Sequence, residues 1–378
     1  MAGIYIHIPF CKQKCYYCDF FSVVGFKEKG NFIKSLLKEI DIQKNYLGNA
    51  SVDTIYFGGG TPSSLDIEEV KAILDKLHST FNISSDAEIT FEANPEDLEY
   101  GYLPDLKELG INRLSIGIQS FNDDDLLFMN RKHSSEQAIK SVERAIKAGF
   151  TNISIDLIYG FPNLDLERWK SNLEIALSLP VTHISAYHLT IEERTVFSHY
   201  LKKGIITEMD EEDSVEQFSL LIEMAEKSGF IQYETSNFAK DNMISKHNSN
   251  YWKQVPYLGL GPSAHSYNGE SRQWNVSLVN KYIDGIEANN PEFEKEIIDD
   301  NMAYNEYILT SLRTMWGIDL EYVKERFSAD RYNFLLSEIE NQIELKHLKL
   351  TDNKAVLTKK GLFVSDAIMS DLMIIVEE

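Results

Sequence analysis

Up to about residue 230 the hydrophobic positions of this chain fall into two alternating rhythms. Short β-branched runs read as strands at 3–8, 52–57, 88–92, 113–117, 153–158 and 183–188. Between and after them, apolar residues recur at helical spacing over 31–45, where Phe32, Ile33, Leu36, Leu37 and Ile40 share a face, and again over 66–81, 102–109, 135–148, 166–177 and 214–228. Asp66, followed three residues later by Glu69, is a capping pair that starts the second helix. Six strand–helix units predict a parallel sheet wrapped by helices, because parallel neighbours need a crossover between them. A doubly wound sheet and a partial barrel both satisfy this α/β pattern. In either, ligands gather at the C-terminal ends of the strands.

The rhythm fades over 229–275, which holds two dense polar–aromatic patches instead. One is His247-Asn248-Ser249-Asn250-Tyr251-Trp252, the other Gly259-Leu260-Gly261-Pro262-Ser263-Ala264-His265-Ser266. From about 301 helical spacing returns over 302–316, 320–327 and 330–342. A hairpin across Asp352-Asn353 joins 348–351 to 355–358, and a last helix follows. The expected division is therefore 1–240, a connecting segment 241–300, and a small α+β, winged-helix-like unit 301–378. Acidic residues outnumber basic ones in that last unit, which suits a lid or protein-contact module better than a DNA reader.

Charge changes the picture further. With 378 residues, 43% of them hydrophobic and 25% charged, the chain is an ordinary globular protein with ample core. Its net charge of −22 carries no basic footprint for nucleic acid. No basic leader precedes a long apolar run, and no run is long enough to cross a bilayer, so a cytoplasmic protein with reduced thiols is expected.

All three cysteines, Cys11, Cys15 and Cys18, lie within eight residues, just after the first strand. An odd number packed so closely argues against a disulfide framework. Three thiolates suit a four-iron cluster with one iron left open. A closed zinc site needs four ligands, and His7, four residues before Cys11, could be the fourth. Three buried structural cysteines are the remaining reading. Further polar residues follow strand ends, as the fold requires: Gly58-Gly59-Gly60-Thr61, Glu92, Gln119 with Arg131 soon after, and Asp156. Glycines let backbone approach a ligand closely. A lone aspartate in an apolar strand needs a partner, for which Arg131 is the candidate.

The three-then-two cysteine spacing behind Tyr-Ile-His-Ile-Pro-Phe resembles the radical S-adenosylmethionine (SAM) superfamily, in the branch shared by oxygen-independent coproporphyrinogen III oxidase and the HemW-type heme chaperones. The resemblance spans nearly the whole chain. It implies a partial (β/α)6 barrel, a four-iron four-sulfur cluster on Cys11, Cys15 and Cys18, and a SAM pocket. That pocket would draw on Tyr5, Tyr17, Gly58, Gly59, Gly60, Thr61, Glu92, Gln119, Arg131 and Asp156, with His188 and His265 nearby. Three features resemble the chaperone rather than the oxidase. Phe20 stands where the oxidase has a further cysteine, the cluster strand starts at about Gly3 with no segment ahead of it, and the His-Asn-x-x-Tyr-Trp patch is present. This implies that heme is a ligand, with His247 on its iron, Tyr251 and Trp252 as an aromatic wall and Asn248 orienting the imidazole. An acceptor protein, such as a respiratory enzyme, would receive the heme. Radical decarboxylation of coproporphyrinogen III is the rival function, and a different radical SAM activity a third. Whether SAM is cleaved is left open.

Overall fold

The computed structural model describes residues 1–374. Six strands follow the expected order: β1 (Ala2–Ile8), β2 (Val52–Gly59), β3 (Ile83–Ala93), β4 (Arg113–Gln119), β5 (Asn152–Tyr159) and β6 (His183–His188). Neighbours along this series pair in parallel. The helices between and after them are α1 (Lys29–Ile42), α2 (Ile67–Thr80), α3 (Tyr102–Glu108), α4 (Ser135–Lys147), α5 (Leu166–Ser178) and α6 (Glu211–Lys227). The Asp66–Glu69 capping box forms at the start of α2.

What read as short apolar runs are alternating strands buried on both faces. Ile4, Ile6 and Ile8, then Ile55 and Phe57, then Leu114, Ile116 and Ile118 pack into the main apolar core with the helices. The opposite parity carries Tyr5, Thr54, Tyr56, Thr90, Arg113, Ser115, Ser154 and Ser185, and most of these are buried too. The period-2 geometry of a strand thus gives the sheet an apolar face toward the helices and a polar face toward the hollow.

The sheet extends beyond six strands. After β7 (Ile231–Glu234) and β8 (Asn237–Ala239) come α7 (Lys246–Trp252) and four strands, β9 (Tyr257–Leu260), β10 (His265–Tyr267), β11 (Ser271–Asn275) and β12 (Phe293–Ile297). Strand β9 lies parallel to β1, and the full order is β12-β11-β10-β9-β1-β2-β3-β4-β5-β6-β8-β7. The two edges stay apart, so the barrel is partial. Residues 241–300 therefore build one edge of the sheet. Their strands have three to five residues and sit among glycines and prolines, too short for periodicity to show.

A second apolar core, including Tyr304, Ile308, Leu335, Ile339 and Met369, lies in the C-terminal part. There, helices Asp300–Leu312, Leu320–Arg326 and Ala329–Glu344 lead into β14 (Leu348–Thr351) and β15 (Lys354–Leu357), with β13 (Ile318–Asp319) beside β15. Asp352 and Asn353 both take positive φ, +48° and +61°, as a two-residue hairpin turn demands. Among the described residues no helix is long and apolar enough to cross a membrane.

Glu39 of α1 locks the added edge to the barrel. It is fully buried and accepts three hydrogen bonds, from Gly261 N (2.8 Å), Asn275 Nδ2 (2.6 Å) and Tyr282 OH (2.7 Å). Glu39→Ala strands those donors and should cost about 3 kcal/mol. Urea unfolding checks this; a midpoint equal to wild type would show that the lock contributes nothing.

Candidate functional site

Pro9 ends β1 and the chain turns into the cysteine loop, where Phe10–Cys11 pairs briefly with Val23–Val24. The loop is stapled from three sides. Lys12 pairs with the buried Asp97, which also accepts from Ser63 Oγ (2.7 Å). Asn130 Nδ2 donates to Lys14 O (2.9 Å), and Gln13 Nε2 to Asn130 O (2.9 Å). Tyr16 N donates to Met129 O (3.2 Å).

All three cysteines line a cavity of about 400 Å³ at the C-terminal ends of the strands. Its size is in the range of small-molecule sites. Gly59, Gly60 and Thr61 reach it from the end of β2, Glu92 from β3, Gln119 and Arg131 from β4 and the loop beyond, Asp156 from β5 and His188 from β6; Tyr17 joins from the cysteine loop. Gln119 holds φ at +69°, a left-handed conformation unusual outside glycine.

Three residues expected at or near this wall are not in it. Gly58 makes room for aromatic rings rather than a ligand, because an added Cβ would meet Tyr5 and Tyr56 at 2.9 Å. Tyr5 lies against Tyr56 and bonds His7 Nδ1 through its hydroxyl (3.1 Å). His265 stands exposed on β10, stacked on Trp274.

His247 is the largest departure. It was expected to be open to heme iron, but only 2% of it is exposed. Its Nδ1 bonds Thr54 Oγ1 and its Nε2 bonds Tyr251 OH, both at 2.8 Å, while its face stacks on Tyr56. Neither nitrogen has a free lone pair for a metal in this arrangement. Burial, with the Arg113 charge adding to it, pulls its pKa down to about 3. The motif has a different local task. Glu88 accepts from Lys246 N and His247 N (3.0 Å each), holding the first turn of α7, and Asn248 reaches the cavity. A motif read from sequence places residues on a helix but does not say which side of that helix is sealed.

Arg131 is also not the partner of Asp156. Its Nη2 donates to Asn94 Oδ1 (2.8 Å) and Gly117 O (2.7 Å), and its Nη1 approaches Cys15 Sγ (3.4 Å) and Tyr17 OH (3.5 Å). Asp156 accepts from Ser115 Oγ (3.2 Å). Asn94, Tyr56 and Asp97 were missed as site residues. Asn94 was at hand in the Asn-Pro that follows β3, but nothing in sequence joined it to Arg131.

The donor set fits an anionic iron–sulfur cluster. Thr61 Oγ1 donates to Cys11 Sγ (3.4 Å), and a guanidinium that is always charged faces Cys15. Burial raises the Cys11 thiol and takes Cys18 up to about 11, so bound metal rather than the protein would have to draw off their protons. Among the described residues no three His, Cys, Asp or Glu side chains converge as ligands of a single ion. A cubane asks for less convergence, since each thiolate meets a different iron. Gly60 is the close-approach position, as its Cβ would fall 3.0 Å from Cys11 Sγ and from the carbonyls of Ile8 and Phe10. Below, Tyr56 OH donates to Glu92 Oε1 (2.7 Å), yet burial still lifts Glu92 to about 7 and Asp156 to about 6.

A family model described as the radical SAM superfamily matches residues 5–176. Over 364 residues the chain is 35% identical to heme chaperone HemW of Bacillus subtilis (strain 168), spanning 96% of both proteins. It is 30% identical over 380 residues to heme chaperone HemW of Mycobacterium tuberculosis (strain ATCC 25618 / H37Rv), covering 98% of this chain and 94% of that one. Coproporphyrinogen III oxidase (HemN) from Escherichia coli superposes with a TM-score of 0.85 over 98% of this chain and 90% of its own, at 22% identity, a likeness of fold.

Two predictions follow from the geometry. Gly60→Val should push Cys11 aside, so iron and sulfide retained after anaerobic reconstitution should fall severalfold with the circular dichroism unchanged. Gly30→Ala, whose added carbon meets nothing within 4 Å, is the control. Between its ordinary value of 4.5 and about 7, the folded chain keeps a proton on Glu92 that the unfolded chain has released, so stability falls as pH rises across that window. Glu92→Gln should therefore raise ligand-free stability at pH 7.5 by roughly 1–2 kcal/mol and have little effect at pH 4.5. Thermal melts at both pH values test it; an equal effect at both would assign the change to packing.

Proposed function

The chain belongs to the HemW family of the radical SAM superfamily, and on that premise we propose that it is a heme chaperone, binding heme and passing it to an acceptor protein. The observation that carries this reading is the end-to-end likeness to relatives named heme chaperone HemW. Cys11, Cys15 and Cys18 would hold a four-iron four-sulfur cluster, with SAM in the adjoining cavity. When bound, such a pair supplies one-electron chemistry at a sulfonium.

The chain's own residues do the rest. Arg131 balances negative charge beside Cys15 while fixing Asn94 and the end of β4. Thr61 donates to the Cys11 sulfur. Glu92 and Asp156, held near neutrality by burial, can carry a proton or accept a ligand hydroxyl. The cysteine loop forms one wall of the cavity. The protein works in the cytoplasm, where its thiols stay reduced. The C-terminal part, which has its own apolar core, meets the acceptor, a respiratory enzyme or another heme protein.

The rival, oxidation of coproporphyrinogen III, shares the fold. Phe20, strongly exposed beside the cluster loop, replaces the oxidase's extra cysteine. One experiment separates the two. Anaerobically reconstituted protein is titrated with hemin and, separately, supplied with coproporphyrinogen III, SAM and a reductant. Saturable heme absorbance without porphyrinogen turnover is expected. Conversion to protoporphyrinogen IX would replace the chaperone by the enzyme.

A further inference from the structure

A heme-iron ligand needs a nitrogen that is unprotonated, free of other partners and reachable. The chain has nine histidines. Both nitrogens of His7 are engaged, by Tyr5 OH and Phe21 O. The same holds for His183, between Ser154 and Tyr233, and for His247, between Thr54 and Tyr251. His133 is buried, with its Nε2 on Ile118 O. His188 bonds Ser214 through Nε2 and lines the cavity of the cysteines, and the half-buried His347 bonds Gln342 through Nδ1. Among the described residues this leaves His78, His199 and His265 exposed, with no hydrogen bond to the ring. His78 and His199 lie on the outer faces of helices.

His265 differs from these two in being built into place. It pairs with Trp274 across β10 and β11, and the two rings stack 5.7 Å apart with a 22° interplanar angle. An axial imidazole stands upright on the porphyrin. A ring lying against its face fixes its rotation and leaves its nitrogens clear. The glycine-rich patch, which the SAM cavity does not use, seats this strand. A Cβ at Gly259 would fall 2.0 Å from His265 O, and one at Gly261 2.5 Å from His7 O, so only glycine allows β10 and β1 to close on β9 at this spacing. Gly259 N donates to Ser266 Oγ (2.9 Å), which fixes the residue next to His265. Tyr257 and Tyr267, facing each other across the same strands, add aromatic surface. Burial of part of the ring and the charge of Arg272 both lower the pKa of His265, favouring the neutral form that ligates metal. His265 does not line the SAM cavity.

We propose that His265, held by Trp274 and the Gly259–Gly261 segment, is the axial ligand through which the chain takes up heme iron, on the strands that extend the sheet beyond β1. This rests on the heme-chaperone reading. His247 serves instead as a packing group that pins α7 to β2.

The full-length, anaerobically reconstituted protein is titrated with hemin and followed in the Soret region, as wild type, His265→Ala, His265→Gly and His247→Ala. His265→Ala should lose the histidine-ligated spectrum and at least about tenfold in affinity. Free imidazole should restore the spectrum in His265→Gly, a rescue that general loss of structure would not allow. His247→Ala should lower the melting temperature and keep the wild-type Soret band. A wild-type spectrum and affinity in His265→Ala, or loss of the band in a folded His247→Ala alone, would overturn the assignment while leaving heme binding intact. Wild type that takes up no hemin would overturn the chaperone reading and this inference together.

Discussion

Arg131 is the point on which the site converges. A half-buried guanidinium at the cavity wall cannot shed its charge and takes partners within the protein. Here they go to Asn94 at the end of β3, to the Gly117 carbonyl within β4, and toward the sulfur of Cys15. One side chain thus ties two strand ends and the metal-binding loop to each other. The loop has only a two-residue ladder of its own, and Lys12–Asp97 and Asn130 complete its attachment. Without that clamp, the positions of Cys11, Cys15 and Cys18 would be set by a flexible segment.

The fold was legible where chain segments are long. Each of the six strands and six helices read from hydrophobic rhythm appears, all but β3 close to the expected bounds; β3 begins well before residue 88, at Ile83. The edge strands β9 to β12 were not legible. They are short, and pairing partners far away in sequence decide their conformation: β9 is completed by β1, and Glu39 of α1 supplies the acceptor for Gly261 and Asn275. The polar parity of the barrel strands was also hidden. Thr90, Ser115 and Ser154 read as tolerable strand residues, and only the folded sheet shows them lining one hollow.

For the site, sequence was strongest where chemistry demands a residue type. The cysteines, Gly59 to Thr61, Glu92, Gln119 and Asp156 all stand around one cavity at strand ends. It was weakest wherever the answer depended on direction. His247 and His265 each belong to a specific patch, and composition cannot distinguish an imidazole that holds a helix from one with open nitrogens. The same failure assigned Arg131 to Asp156, since opposite charges in sequence carry no information about which neutral groups intervene.

Helix α7 has one turn facing two environments. Asn248 looks into the cavity that takes the Cys loop as its rim, while His247, one residue earlier, is wedged between Thr54, Tyr56 and Tyr251 at the base of the barrel. Glu88 holds the first turn of that helix through two backbone N–H groups, so the anchor at the barrel base also fixes where Asn248 meets the cavity.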